Sequence, residues 1–91
     1  MPKVIVTAEV EDGAKWEEGF RTHGDHFKTM TVTAPIGIAV NGNEIALCFD
    51  PVNSDTFIGS IDTPENLTAM AHDGVKRETV KVYVMDKEFQ P

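Results

Sequence analysis

The chain has 91 residues, 41% of them hydrophobic, and its formal net charge is −7. A surplus of negative charge disfavours nucleic acid and anionic lipid surfaces as partners. The length suits a single domain over residues 1–91. Folding of a chain of this size buries roughly 64% of the surface of the unfolded chain, which leaves a thin core. Pairing with a second copy would increase the buried apolar area.

The cysteine content and the hydropathy indicate the cellular compartment. Cys48 is the single cysteine, which excludes a disulfide within the chain. No stretch approaches the roughly 20 apolar residues that a membrane span needs, and the first residues lack the pattern of a secretory leader. We expect a cytoplasmic protein.

The first segment predicts a strand followed by a helix. β-Branched residues over 3–10 favour a strand, and Asp12 is placed to cap a helix over about 14–28. Gly19 and Gly24 weaken that helix, which indicates either close approach to another backbone or a local break near Gly24.

The middle of the chain predicts a hairpin. Strands over about 33–40 and 43–50 flank Asn41-Gly42, a pair that tolerates the positive φ angles of a tight turn.

The last third predicts a split helix and a fourth strand. Ser54 or Asp55 can cap a short helical segment, and Thr63-Pro64 carries the signals of a restart. Leu67, Met70 and Ala71 are expected on the inner face of this helix. Gly74 is placed to end it, and alternation over 78–85 favours a strand.

The predicted fold is α+β and ferredoxin-like, β-α-β-β-α-β, with a four-stranded antiparallel sheet and helices on one face. Both faces of the predicted sheet are largely apolar. The alternation of side chains along the strands does not show which face packs against the helices. One face contains Val4, Val6, Val10, Ile36, Ile38, Val40, Ile45, Leu47, Phe49, Val80, Val82 and Val84; the other contains Ile5, Thr7, Glu9, Gly37, Ala39, Ala46, Cys48, Tyr83 and Met85.

This order of elements resembles the dimeric α/β barrel superfamily, and the small antibiotic-biosynthesis-type monooxygenases within it. The likeness is carried by the split second helix and its ending, which comprise Ser54, Phe57-Ile58, Thr63-Pro64-Glu65, Leu67 and Met70 to Val75. It implies a homodimer whose sheets pack face to face, and in each subunit a cavity between sheet and helices.

His23 is the most unusual candidate for a functional side chain. Seven residues after Trp16, it falls within the helical stripe formed by Trp16, Phe20 and Phe27. An imidazole there needs a partner, and a backbone carbonyl or Tyr83 would serve in a purely structural role. Alternatively it contacts a ligand or moves a proton, since imidazole titrates near neutrality.

The remaining candidates carry weaker signals. Tyr83 offers a hydroxyl that could anchor a ligand. His26 lies three residues after His23, but this spacing alone is a poor indication of a metal site, and none is predicted. His72 is expected to stabilise a helix end, and Cys48 to be a small core residue.

These residues favour the binding of a small apolar or amphipathic molecule in a cavity of a few hundred cubic ångströms. Trp16, Phe20, Phe27, Phe49 and Phe57 would form its walls, and His23 or Tyr83 its polar anchor. The enzymatic alternative is a cofactor-free monooxygenase or isomerase in which His23 is the catalytic base and Tyr83 orients the oxygen. No cofactor is expected. The third hypothesis is a structural domain that binds other proteins.

Overall fold

A computed structural model describes residues 2–91. Its elements in chain order are β1 (Lys3–Glu9), α1 (Gly13–Phe20), α2 (Gly24–Thr29), β2 (Gly37–Asn41), β3 (Glu44–Phe49), α3 (Ser54–Ser60), α4 (Pro64–His72) and β4 (Lys81–Met85). A single 3-10 turn, Arg77–Thr79, precedes β4. None of the helices in residues 2–91 is both long and apolar enough to cross a membrane.

The four strands form one antiparallel sheet in the order β2-β3-β1-β4. Val4 on β1 pairs with Phe49 on β3 and with Val84 on β4, which places all three side chains on the same face. The ferredoxin-like prediction is confirmed.

The face that contains Val4 is the one that the helices cover. Val4, Ile45, Leu47 and Phe49 are buried in the core there. The opposite face, which includes Tyr83, is left uncovered by the helices. β4 is exposed along its whole length, because it forms one edge of the sheet and the helices do not extend over it.

The first predicted helix is divided, and its break comes at residues 21–23, just before Gly24. The amide of Thr22 donates to the carbonyl of Gly19 (3.0 Å), and the amide of His23 donates to the carbonyl of Phe20 (3.0 Å). The Thr22 hydroxyl also donates to Gly19 O (2.6 Å). Such i→i+3 bonds tighten and end a helix. The expectation of one continuous helix over about 14–28 is therefore wrong, whereas the alternative of a local break near Gly24 is confirmed. His23 becomes the N-cap residue of α2.

The second helix is split as predicted, although its caps differ in detail. Asn53, rather than Ser54 or Asp55, caps α3 by accepting a hydrogen bond from the Thr56 amide (3.0 Å). Asp12 caps α1 as expected, accepting from the Lys15 amide at 3.0 Å.

α4 begins at Pro64 and is closed by Gly74, whose φ of +76° is the left-handed conformation expected there.

Two strands start later than the sequence pattern indicated. β2 begins at Gly37, two residues after Pro35, which has no amide hydrogen for a ladder. Residues 77–79 form the 3-10 turn, so β4 begins at Lys81. The hairpin is confirmed, but its two-residue loop is Gly42-Asn43 rather than the expected Asn41-Gly42, because Asn41 still pairs with Glu44 in the ladder. Gly42 supplies the positive φ (+61°) at the first loop position.

Candidate functional site

A small cavity lies between the helices and the buried face of the sheet. Its volume is about 70 Å³, which is smaller than the few hundred cubic ångströms expected from the sequence. The reason is that large side chains converge on it. Its walls include Trp16, Phe20, Phe27, Met30, Leu47, Phe49, Phe57 and Met70, and its polar lining residues are His23, His26, Asn66 and Asp73.

The five predicted aromatic wall residues form one continuous chain of rings. Neighbouring ring centroids are 5.0 Å apart for Trp16–Phe20, 5.0 Å for Phe20–Phe27, 5.6 Å for Phe27–Phe49 and 4.6 Å for Phe49–Phe57. These distances lie in the favourable range for aromatic pairs. The structure thus brings all five residues to the cavity, from α1, α2, β3 and α3.

His23 also lines the cavity, and its partner is a carboxylate. Its Nε2 lies 3.0 Å from Oδ2 of Asp73. The Asp73 side chain is only 6% exposed, whereas that of His23 is 25% exposed. A buried carboxylate that accepts a hydrogen bond from an imidazole fixes the orientation of the ring. Neither a backbone carbonyl nor Tyr83, the partners expected for a structural histidine, accepts this hydrogen bond.

The Asp73 carboxylate is held by its surroundings. Asp73 is the C-cap residue of α4, and its backbone amide donates to Ala69 O at 3.2 Å. Its second oxygen, Oδ1, lies 3.2 Å from Nδ1 of His72, an exposed imidazole. On the other side Gly19 leaves the room that the carboxylate fills, because a Cβ at that position would overlap Oδ1. His72 therefore contacts the pair from outside and does not line the cavity.

A second histidine pair lies further along the same helices. Nε2 of His26 is 3.1 Å from Oδ1 of Asn66, and Nδ2 of Asn66 donates to the carbonyl of Ile61 at 2.7 Å. Asn66 is buried. Two hydrogen bonds therefore join α2 to α4, and their partners on α4 are seven residues apart, or about 10.5 Å along the helix.

Tyr83 does not join these residues. It pairs with Ile5 on the face of the sheet away from the helices and is 52% exposed. The expectation that its hydroxyl anchors a ligand beside His23, or orients oxygen there, is corrected accordingly. Cys48 lies on the same outer face, paired with Ile5 and Gly37, so it is not part of the helix-covered core.

The charge at the cavity is confined to one group. Asp73 is the only Asp, Glu, Lys or Arg among the lining residues that the structure describes. Residues 2–91 contain no cluster of three or more His, Cys, Asp or Glu side chains suited to a metal ion. The site can therefore offer aromatic contacts, two imidazoles and one carboxylate.

Neither Asn66 nor Asp73 was predicted as a site residue from the sequence, although a signal was present. Asn66, Met70 and Asp73 have the i, i+4, i+7 spacing of one helical face, and all three line the cavity. Leu67 and Ala71, which were expected on that face, are both exposed instead. An acidic residue at the end of α4 also opposes the helix dipole, which points to a specific partner.

The structure is similar to several solved proteins of low sequence identity. No protein-family model and no curated protein shows a significant match to the chain. An antibiotic biosynthesis monooxygenase matches with a TM-score of 0.67 and 12% identity, over 97% of this chain and 99% of that one. SnoaB, a cofactor-independent oxygenase from Streptomyces nogalater, matches with a TM-score of 0.67 and 14% identity, over 98% and 94%.

A third structure, protein Atu4242 from Agrobacterium tumefaciens, has a TM-score of 0.64 and 15% identity, over 97% of this chain and 94% of its own. At such identities the likeness concerns the backbone. The chain therefore has the α+β, ferredoxin-like fold of the antibiotic biosynthesis monooxygenase structures.

Proposed function

We propose that this protein binds a small apolar or amphipathic molecule in the cavity between its helices and its sheet. The supporting observation is a cavity whose walls are apolar, while His23 and Asp73 form a hydrogen-bonded pair beside them. Ligand sites commonly combine apolar walls with a few polar groups that fix orientation.

The cavity volume limits the size of the ligand. A single water molecule needs roughly 10–15 Å³ of cavity volume. The volume of about 70 Å³ therefore holds a few water molecules or part of an aromatic ring. A whole ring requires the walls to move. Met30 and Met70 line the cavity, and their flexible side chains can repack at small cost. We therefore expect one-ring ligands to bind before larger ones.

Trp16 provides the test, because it is the only tryptophan in the chain and lines the cavity. Toluene and phenol are titrated against the protein while indole fluorescence is followed, with free N-acetyltryptophanamide as the control for collisional quenching. We expect a saturable change for the protein and a linear, unsaturable one for the control. Unsaturable quenching of both the protein and the control would contradict binding, and it would favour the hypothesis of a structural protein-interaction domain.

We further propose that two copies pair through the sheet face that the helices leave uncovered. Ala46 lies near the middle of that face, opposite Thr7 on one side and Ala39 on the other. Tyr83 and Met85 are each 52% exposed on β4. A second copy seated there would bury this apolar surface.

Sedimentation velocity tests the pairing with two matched substitutions. Ala46→Glu places a charge in the proposed interface, whereas Ala71→Glu places the same charge on the exposed surface of α4. We expect a dimer for the native chain and for Ala71→Glu, and a monomer for Ala46→Glu. A native chain that sediments as a monomer at all concentrations would refute the proposal.

A second candidate function is proton abstraction by His23, as in a cofactor-free monooxygenase or isomerase. The observation in favour is the 3.0 Å contact between His23 and the buried Asp73. If Nε2 donates to the carboxylate, Nδ1 of the neutral ring can take a proton from an acidic C–H or O–H group, and Asp73 stabilises the resulting imidazolium. SnoaB, which shares the fold, is described as a cofactor-independent oxygenase.

This candidate is tested with enolisable polyketide-like phenols, such as a hydroxyanthrone, by following oxygen uptake and product absorbance. His23→Gln is compared with His72→Gln, since His72 also contacts Asp73 but is exposed. Turnover that falls by at least about 100-fold only in His23→Gln would support the base. Equal rates in both variants would eliminate it.

A further inference from the structure

The two imidazoles at the cavity have the same protonation pattern, and the hydrogen bonds define it. Nδ2 of Asn66 donates to the Ile61 carbonyl, which can only accept, so the amide oxygen of Asn66 faces His26. His26 must therefore donate through Nε2. The Asp73 carboxylate likewise accepts from Nε2 of His23.

It follows that the free nitrogen of each neutral ring is Nδ1, with a lone pair. Among residues 2–91, neither Nδ1 has a hydrogen-bond partner. No buried side-chain nitrogen or oxygen of the described residues lacks a partner. Both Nδ1 atoms are therefore accessible to a water-sized molecule, and both belong to side chains that line the cavity.

The two histidines are close together in the chain, and both line the cavity. His23 and His26 are three residues apart at the start of α2, which puts them on one side of a single helical turn. Each ring is fixed by a buried or nearly buried group on α4, Asp73 for His23 and Asn66 for His26.

The negative charge of Asp73 is a second feature that selects among ligands. An anionic ligand would lie near the Asp73 carboxylate, and none of the described lining residues is a Lys or Arg that could pair with it. Burying an unpaired negative charge beside another is costly. The acceptors and the carboxylate thus disfavour the same ligands, those with negative charge and no donor.

We propose that His23 and His26 form an acceptor pair that selects uncharged ligands bearing a hydroxyl donor and excludes anions. Asn66 is a positioning residue, because it fixes the ring of His26 without needing to touch the ligand. This proposal rests on ligand binding in the cavity, and it assigns to His26 a recognition role of its own.

Three one-ring probes of similar size test the selection: phenol, toluene and benzoate, each titrated by Trp16 fluorescence. We expect benzoate to bind at least about tenfold more weakly than phenol to the native chain. His26→Phe should weaken phenol binding about tenfold while toluene binding stays within about twofold. Ala71→Phe, which adds the same ring at an exposed position of α4 outside the cavity, should alter neither.

Each outcome separates this proposal from the broader one. If toluene and phenol bind but His26→Phe weakens phenol binding no more than Ala71→Phe does, the acceptor role of His26 is refuted while cavity binding stands. Benzoate that binds as tightly as phenol refutes the exclusion of anions, and this comparison needs no variant. If no probe binds, both proposals fail.

Discussion

Gly19 and Asp73 fit against each other so closely that a single added carbon at position 19 would overlap the carboxylate of Asp73. The two residues lie on different helices, α1 and α4. Their contact places the Asp73 carboxylate where it meets His23. The polar end of the cavity therefore depends on the absence of a side chain on α1.

The first prediction concerns that contact. Gly19→Ala should lower the free energy of unfolding by about 1–3 kcal/mol, because displacement of Asp73 leaves His23 without its partner. Gly59→Ala on α3 is the matched control, since a Cβ there meets nothing within 4 Å. It should instead raise the stability by about 0.5–1 kcal/mol. Urea unfolding measures both, and equal effects would contradict the packing.

The second prediction concerns the aromatic chain. Phe57 is 1% exposed and lies 4.6 Å from Phe49 between ring centroids. Phe57→Ala should cost about 3–5 kcal/mol through lost burial and a new cavity. Phe89, which is 87% exposed, supplies the control, and Phe89→Ala should stay within about 0.5 kcal/mol. Chemical denaturation that shows similar losses for both would argue against the described core.

A third prediction concerns helix capping. Asp12→Ala should cost about 1 kcal/mol, because the Lys15 amide loses the acceptor that it now has at 3.0 Å. Asp12→Asn retains a side-chain oxygen and should recover most of that loss. Thermal unfolding of the two variants checks the cap. An Asn variant as unstable as the Ala variant would show that charge, rather than the hydrogen bond, accounts for the effect.

A fourth prediction concerns the imidazole tautomers. In neutral form, His23 and His26 should both carry their hydrogen on Nε2, since Asp73 and Asn66 accept there. Nitrogen–proton correlation spectra recorded well above neutral pH distinguish the two tautomers. Asp73→Ala should remove the preference at His23 and preserve it at His26. A hydrogen on Nδ1 of either ring in the native chain would be incompatible with the described bonds.

Local signals in the sequence predicted most of the fold. The hairpin, the Asp12 cap, the restart at Pro64 and the ending at Gly74 each depend on residues close together in the chain. The structure has all four, with the hairpin loop one residue later than predicted. The sequence did not decide between one continuous helix and a break near Gly24, because the apolar stripe of Trp16, Phe20 and Phe27 continues across residues 21–23. Nothing in that spacing reports the hydroxyl of Thr22 bonding to Gly19.

The polar half of the site was harder to predict than its walls. His23 and Asp73 are 50 residues apart, and His26 and Asn66 are 40 apart, so each pair exists only once α2 packs on α4. Tyr83 was misplaced for a different reason. Alternation along a strand tells which residues share a face, but it does not tell which face the helices cover.

Binding of a small molecule in the cavity can be tested by filling the cavity with a larger side chain. Ala69 lines the cavity, whereas Ala71 on the same helix is exposed and outside it. Phenol affinity is measured by Trp16 fluorescence for Ala69→Leu and Ala71→Leu. Ala69→Leu should weaken phenol binding by at least about tenfold, while Ala71→Leu should bind phenol as the native chain does. Equal affinity in the two variants would contradict binding in the cavity.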